Sequence, residues 1–165
     1  MNKFLSLLAL GLIPALSWAA GDHGSHKGMH DHMAGMHQGR PASAAGRPGD
    51  PAKVSRTIEV TMDDNMRFSP SQLSVKAGET VRFFVRNSGK VPHELVIGTL
   101  SELQEHAEMM RKMPDMKHAE PNMVNLAAGK RGGIVWQFAQ AGNVDFACLL
   151  PGHLEAGMKG SIRVE

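Results

Sequence analysis

The stretch Thr80-Val81-Arg82-Phe83-Phe84-Val85-Arg86-Asn87 decides the fold class. Successive side chains of a strand point to opposite faces, so Val81, Phe83 and Val85 line one face while Arg82, Phe84 and Arg86 line the other. Asn87-Ser88-Gly89 then ends the strand with turn-forming residues. The same alternation recurs on both sides. Upstream, Ile58 and Val60 alternate with Thr57, Glu59 and Thr61, and a polar turn at Asp63-Asp64-Asn65 leads to Met66-Arg67-Phe68-Ser69-Pro70. Leu73 and Val75 follow, before a turn at Ala77-Gly78. Downstream, Val91-Pro92-His93 opens a strand that keeps Leu95 and Ile97 on the face of His93. Ile134, Trp136 and Phe138 alternate with Val135, Gln137 and Ala139, and Gly142 starts a strand leading to Cys148. Short alternating runs separated by turns, from Val54 onward, predict an all-β domain, a sandwich or a barrel.

The residues before Val54 do not follow this pattern. A chain of 165 residues has room for one domain and some extra segments. Residues 4–16 form an apolar run behind Lys3, interrupted by Ser6, Gly11 and Pro14 and followed by Ser17-Trp18-Ala19. This is the pattern of a secretory signal peptide over residues 1–19, and the run falls short of the roughly 20 residues needed to span a bilayer. Export to a bacterial periplasm is therefore expected. Residues 20–53 lack apolar periodicity and interleave His23, His26, His30, His32 and His37 with Met29, Met33 and Met36. Such a leader is expected to be disordered, either a solubilising linker or a loose metal-binding tract. The formal charge of +2 calls for neither nucleic acid nor an acidic substrate.

The chain has twelve Met and nine His but a single Cys, which has no partner for an internal disulfide. That cysteine lies in Cys148-Leu-Leu-Pro-Gly-His153-Leu-Glu-Ala-Gly-Met158, which places a thiolate, an imidazole and a thioether in one loop. Strand parity turns Cys148 inward with Val144 and Phe146, Met158 inward with Ile162 and Val164, and His93 inward with Leu95 and Ile97. Taken singly, each has an ordinary alternative: a hydrogen-bonded core histidine, a small buried hydrophobe, a solvated loop residue, core filling. Together, two imidazoles, a thiolate and a thioether are a ligand set for copper; zinc would sooner take carboxylates or further thiolates than a thioether.

The chain resembles the cupredoxins over about residues 54–165. The resemblance is carried by Met66-Arg67-Phe68-Ser69-Pro70, Val75-Lys76-Ala77-Gly78-Glu79-Thr80-Val81, Asn87-Ser88-Gly89, Pro92-His93-Glu94 and the loop from Cys148 through His153 to Met158. It implies a Greek-key β-sandwich with a mononuclear type 1 copper at one end, His93, Cys148 and His153 as equatorial ligands and Met158 as the axial one. Glu94 departs from the pattern, since several electron-transfer members have Asn after the first histidine.

An insertion over about residues 101–123 separates the His93 strand from the next. It holds His106, Met109, Met110, Met113, Met116, His118 and Met123 in an otherwise polar segment. A short helix capped by Ser101 and limited by Pro114 is expected, with His106, Met109 or Met110, and Met113 on one face. Those methionines either pack on the sandwich or form a second, Cu(I)-favouring site, to which Met62 and Met66 contribute if the insertion folds back over them. With its His/Met leader and this insertion, the chain is similar to the bacterial periplasmic copper-tolerance cupredoxins. A copper-binding protein that buffers or passes on copper is expected, not an enzyme, with a redox or copper-transfer partner docking at an apolar rim of Leu149, Leu150, Pro151, Leu154 and Ala156 around His153. The alternative is a soluble electron carrier, which needs only the type 1 site.

Overall fold

A computed structural model of the chain describes residues 43–113 and 118–165. The expected signal peptide, the five leader histidines with their methionines, and Met116 lie outside the described residues. Among the described residues the strands are β1 (Arg47–Pro48), β2 (Arg56–Asp63), β3 (Arg67–Ser69), β4 (Gln72–Val75), β5 (Thr80–Asn87), β6 (His93–Gly98), β7 (Met123–Leu126), β8 (Arg131–Gln137), β9 (Gly142–Ala147) and β10 (Lys159–Val164), with one α-helix, α1 (Leu100–Lys112). They form two five-stranded sheets, in the orders β1-β8-β5-β2-β3 and β4-β10-β9-β6-β7. β2 runs parallel to β5 and β4 parallel to β10; the other pairs are antiparallel.

The inward faces are those that alternation selects. Val81, Phe83 and Val85 are buried in β5, whereas Phe84 is exposed. They join Ile134, Trp136, Phe138, Val144, Phe146, Ile162 and Val164 in one core drawn from both sheets. The edge-to-face pair of Phe68 with Phe146 ties the two sheets together, and Phe83 packs edge-to-face on Phe138 at the end of β8 within the first sheet.

The sandwich begins earlier than Val54. β1 pairs with β8, Gly49 N donates to Val135 O at 2.9 Å, and Ala45 is buried with its carbonyl accepting from Trp136 Nε1 at 2.8 Å. The physical reason is that the buried indole N–H needs an acceptor and the edge of β8 needs a cover. A two-residue strand between glycines and prolines leaves no periodic trace in sequence.

The helix differs from expectation at its start. Its N-cap is Thr99, not Ser101: Thr99 Oγ1 accepts from Glu102 N, and the Glu102 carboxylate accepts from Thr99 N at 2.8 Å, a reciprocal capping box. Ser101 instead bonds Glu105. α1 ends at Lys112, just before Pro114, as expected. Its stripe of Leu103, Ala107 and Met110 is buried, and Leu103 and Ala107 pack with Val96, Ala147 and Leu149 on the outer side of β6 and β9. Every residue of β6 is therefore buried, although alternation assigns only His93, Leu95 and Ile97 to the core.

Candidate metal centre

At one end of the sandwich, the start of β6 and the loop between β9 and β10 bring three donors together. The ligand atoms of His93, Cys148 and His153 all lie within 4.8 Å of one another. The two imidazole Nδ1 atoms are 3.3 Å apart, and Cys148 Sγ is 3.2 Å from His153 Nδ1. His93 and Cys148 are fully buried, and His153 is half-buried. Met158 is also fully buried, and its backbone is stitched to the other two loop residues: Cys148 N donates to Met158 O, and Met158 N to His153 O.

Local sequence explains the placement. The loop turns back through Gly152 and Gly157, at φ of 87° and 91°, which glycine adopts without strain. Arg67 Nη1 clamps it from β3 by donating to Ala156 O at 3.0 Å. On the other side, Asn87 at the end of β5 holds the approach to His93. Its Nδ2 donates to Val91 O and Leu126 O, and its Oδ1 accepts from Gly89 N.

Asp64 is a functional residue that the sequence reading passes over as part of a polar turn. Its carboxylate accepts from Lys90 N at 2.8 Å, and Oδ1 lies 3.2 Å from His93 Nε2. The Lys90 N–H and the His93 ring hold its carboxyl below the ordinary range. With Nε2–H given to Asp64, the lone pair of His93 Nδ1 faces the site, the arrangement by which outer carboxylates orient metal-binding imidazoles. A Cβ on Gly89 would run into Asp64, so only glycine allows this grip. No local motif could have revealed it, because the two residues meet only through the fold.

Glu94 is the other unusual group. It is buried, with Oε1 accepting from Leu149 N at 2.9 Å and Oε2 from Asn125 Nδ2 at 3.2 Å, while its own N–H points at Cys148 Sγ, 3.4 Å away. Burial raises its pKa. Burial also pushes the Cys148 thiol up to about 12, and it lowers the His153 pKa, aided by the neighbouring His93. Imidazole and thiol donors facing one another in a desolvated pocket fit a borderline-to-soft ion, and the donor chemistry is that of copper.

Comparison with known proteins agrees. Residues 54–165 match the family described as copper binding proteins, plastocyanin/azurin family. The chain belongs to that family. This cupredoxin is 50% identical, over 161 residues covering 97% of its length and 93% of the relative's, to a protein of Rubrivivax gelatinosus named copper-resistant cuproprotein CopI. It is 37% identical to the protein of the same name in Pseudomonas aeruginosa, with 74% of this chain and 83% of the relative covered. Among solved structures, auracyanin B superposes with a TM-score of 0.61 at 25% identity, covering 73% of this cupredoxin and 96% of that chain. Copper is thus its cofactor.

The insertion residues lie apart from this cluster. His106 on α1 and His118 on the returning limb face each other, Nε2 to Nε2 at 2.8 Å. Met110 is buried, Met109 half-buried and Met113 exposed, while Met123 packs beside the helix against the outer side of β6 and β9. Met62 and Met66 do not join them: both pack with the main core. The expected apolar rim also changes by one residue. Leu149 is buried beneath α1 and the half-buried Leu154 packs against the same cluster, while Leu150 is half-buried and Pro151 and Ala156 are exposed.

Proposed function

We propose that this chain is an exported, periplasmic cupredoxin serving copper tolerance, in which His93, Cys148, His153 and Met158 would hold a mononuclear type 1 copper. The observation that carries the proposal is the convergence of His93, Cys148 and His153 within 4.8 Å at one end of the sandwich. The tolerance role is supported by the relatives named copper-resistant cuproproteins, one of them alike over 97% of this chain. Periplasmic location is supported by the signal-peptide pattern of residues 1–19.

Bound copper supplies one-electron Cu(I)/Cu(II) chemistry. The protein does the rest. Cys148 gives up its proton on loading, the Glu94 N–H steadies the sulfur, and Asp64 fixes the ring of His93. Leu150, Pro151, Leu154 and Ala156 form an apolar rim about the half-buried His153, on which a redox or copper-transfer partner protein docks. The chain acts by binding and passing on copper or electrons, not as an enzyme. The His/Met-rich leader over residues 20–53, with its five histidines, adds loose copper binding.

The alternative is a soluble electron carrier, which would need only the type 1 site; the sandwich superposes on auracyanin B at 25% identity with a TM-score of 0.61. The two roles separate in cells. Tolerance predicts that deleting the chain sensitises cells to copper and that Cys148→Ser fails to restore growth. Unchanged copper sensitivity on deletion, with loss of a respiratory or photosynthetic electron-transfer step, would favour the carrier.

A further inference from the structure

We propose that His106 and His118, together with the thioether-bearing flank of α1, form a second binding site, specific for a soft monovalent cation, Cu(I). This deepens the copper-handling role proposed above and rests on it.

His106 lies on α1, and His118 lies twelve positions along the chain on the limb that leads into β7, yet their Nε2 atoms are 2.8 Å apart, with ring centroids 4.7 Å apart and planes at 40°. As a hydrogen bond alone the pair is a poor stabiliser. One Nε2 must donate and the other accept, and His118 Nδ1 is left buried with no hydrogen-bond partner. Leaving a buried polar atom unsatisfied costs more than one neutral hydrogen bond returns. Packing on the sheet does not explain the pair either, because the α1 side chains in that contact are Leu103 and Ala107.

The neighbours supply the right chemistry. At about 100° per residue, Met109, Met110 and Met113 follow His106 at i+3, i+4 and i+7, along the same flank of the helix. Two imidazoles and thioethers, without a thiolate, favour Cu(I) over zinc or Cu(II). Ligand nitrogens about 2.0 Å from a tetrahedral ion lie roughly 3.3 Å apart, so the rings need part by only about 0.5 Å. His118 precedes β7 outside any regular element, which leaves it free to make that shift. α1 packs on β6 and β9, the strands that bear His93 and lead to Cys148. A Cu(I) ion held here would therefore sit in the helical layer that covers the strands carrying the type 1 site.

The test uses the full chain with the type 1 site loaded and reduced by ascorbate. Cu(I) is titrated against bicinchoninate into the wild type, the His106→Gln/His118→Gln variant and the Met109→Leu/Met110→Leu/Met113→Leu variant. The wild type should bind one more tight Cu(I) than the histidine variant, and the methionine variant should hold that ion at least tenfold more weakly. Reoxidation should restore the same visible band in all three, which shows that the sandwich and the primary site are intact. In the wild type, the imidazole resonances of His106 and His118 should shift with the first added equivalent. Equal Cu(I) stoichiometry and affinity in the wild type and the histidine variant would overturn the proposal, as would unmoved His106 and His118 resonances. Absence of the visible band from the wild type would instead count against the type 1 assignment.

Discussion

Copper loading should release a proton from Cys148, and the structure sets the size of the effect. The thiol is fully buried and its pKa is pushed up to about 12, so the metal-free protein carries a neutral thiol at physiological pH. The thiolate is the metal ligand, so loading must remove that proton. At pH 7 the gap is about five units, which at about 1.4 kcal/mol per unit amounts to roughly 7 kcal/mol that binding must offset. Apparent Cu(II) affinity should therefore rise about tenfold per pH unit between pH 7 and 9, above the ordinary imidazole range. Calorimetry of the metal-free protein at pH 8, in two buffers of different ionisation enthalpy, should return one proton released per copper. A count near zero, with affinity independent of pH, would mean a preformed thiolate and refute the reasoning.

Three further outcomes follow from other contacts. Glu79 is held at a pKa of about 2, chiefly by the Arg56 guanidinium at 2.7 Å, against an ordinary value of 4.5. A depressed carboxyl contributes stability above its unfolded pKa and loses it as pH falls. After allowing for solvent screening at the half-exposed Arg56, Glu79→Gln should therefore cost roughly 1–2 kcal/mol in urea unfolding at pH 7 and almost nothing near pH 2. Asp64→Ala removes the partner of His93 Nε2 and should weaken copper binding by about tenfold or more, read by competition with a chelator. Deleting residues 43–53 strips the acceptor from the Trp136 indole and the cover from β8, and should lower stability by roughly 1–3 kcal/mol in denaturant unfolding.

Most of the sandwich was legible because its strands bury one face. The period of two at Val81, Phe83 and Val85, or at Ile134, Trp136 and Phe138, reports directly which side chains reach the core. The same parity turned His93, Cys148 and Met158 inward, and the loop spacing added His153. Parity failed where a second layer covers the outer face. Val96, Ala147 and Leu149 are buried by α1, and nothing in a strand's own sequence announces a helix packed on its back. Asp64 was hidden for a related reason, since a turn aspartate 29 positions from His93 looks like any other solvated turn. Ala45 and β1, which join the sandwich ahead of Val54, attach through one indole bond and two residues of pairing, too short a segment to carry a period.

The most direct test of the central claim is the copper content and visible spectrum of the purified full-length protein beside its Cys148→Ser variant. The wild type should show an intense thiolate-to-copper band arising from one ion bound in the sandwich, and the variant should lose that band while remaining folded. Persistence of the band in Cys148→Ser would contradict the assignment of copper to the site formed by His93, Cys148, His153 and Met158.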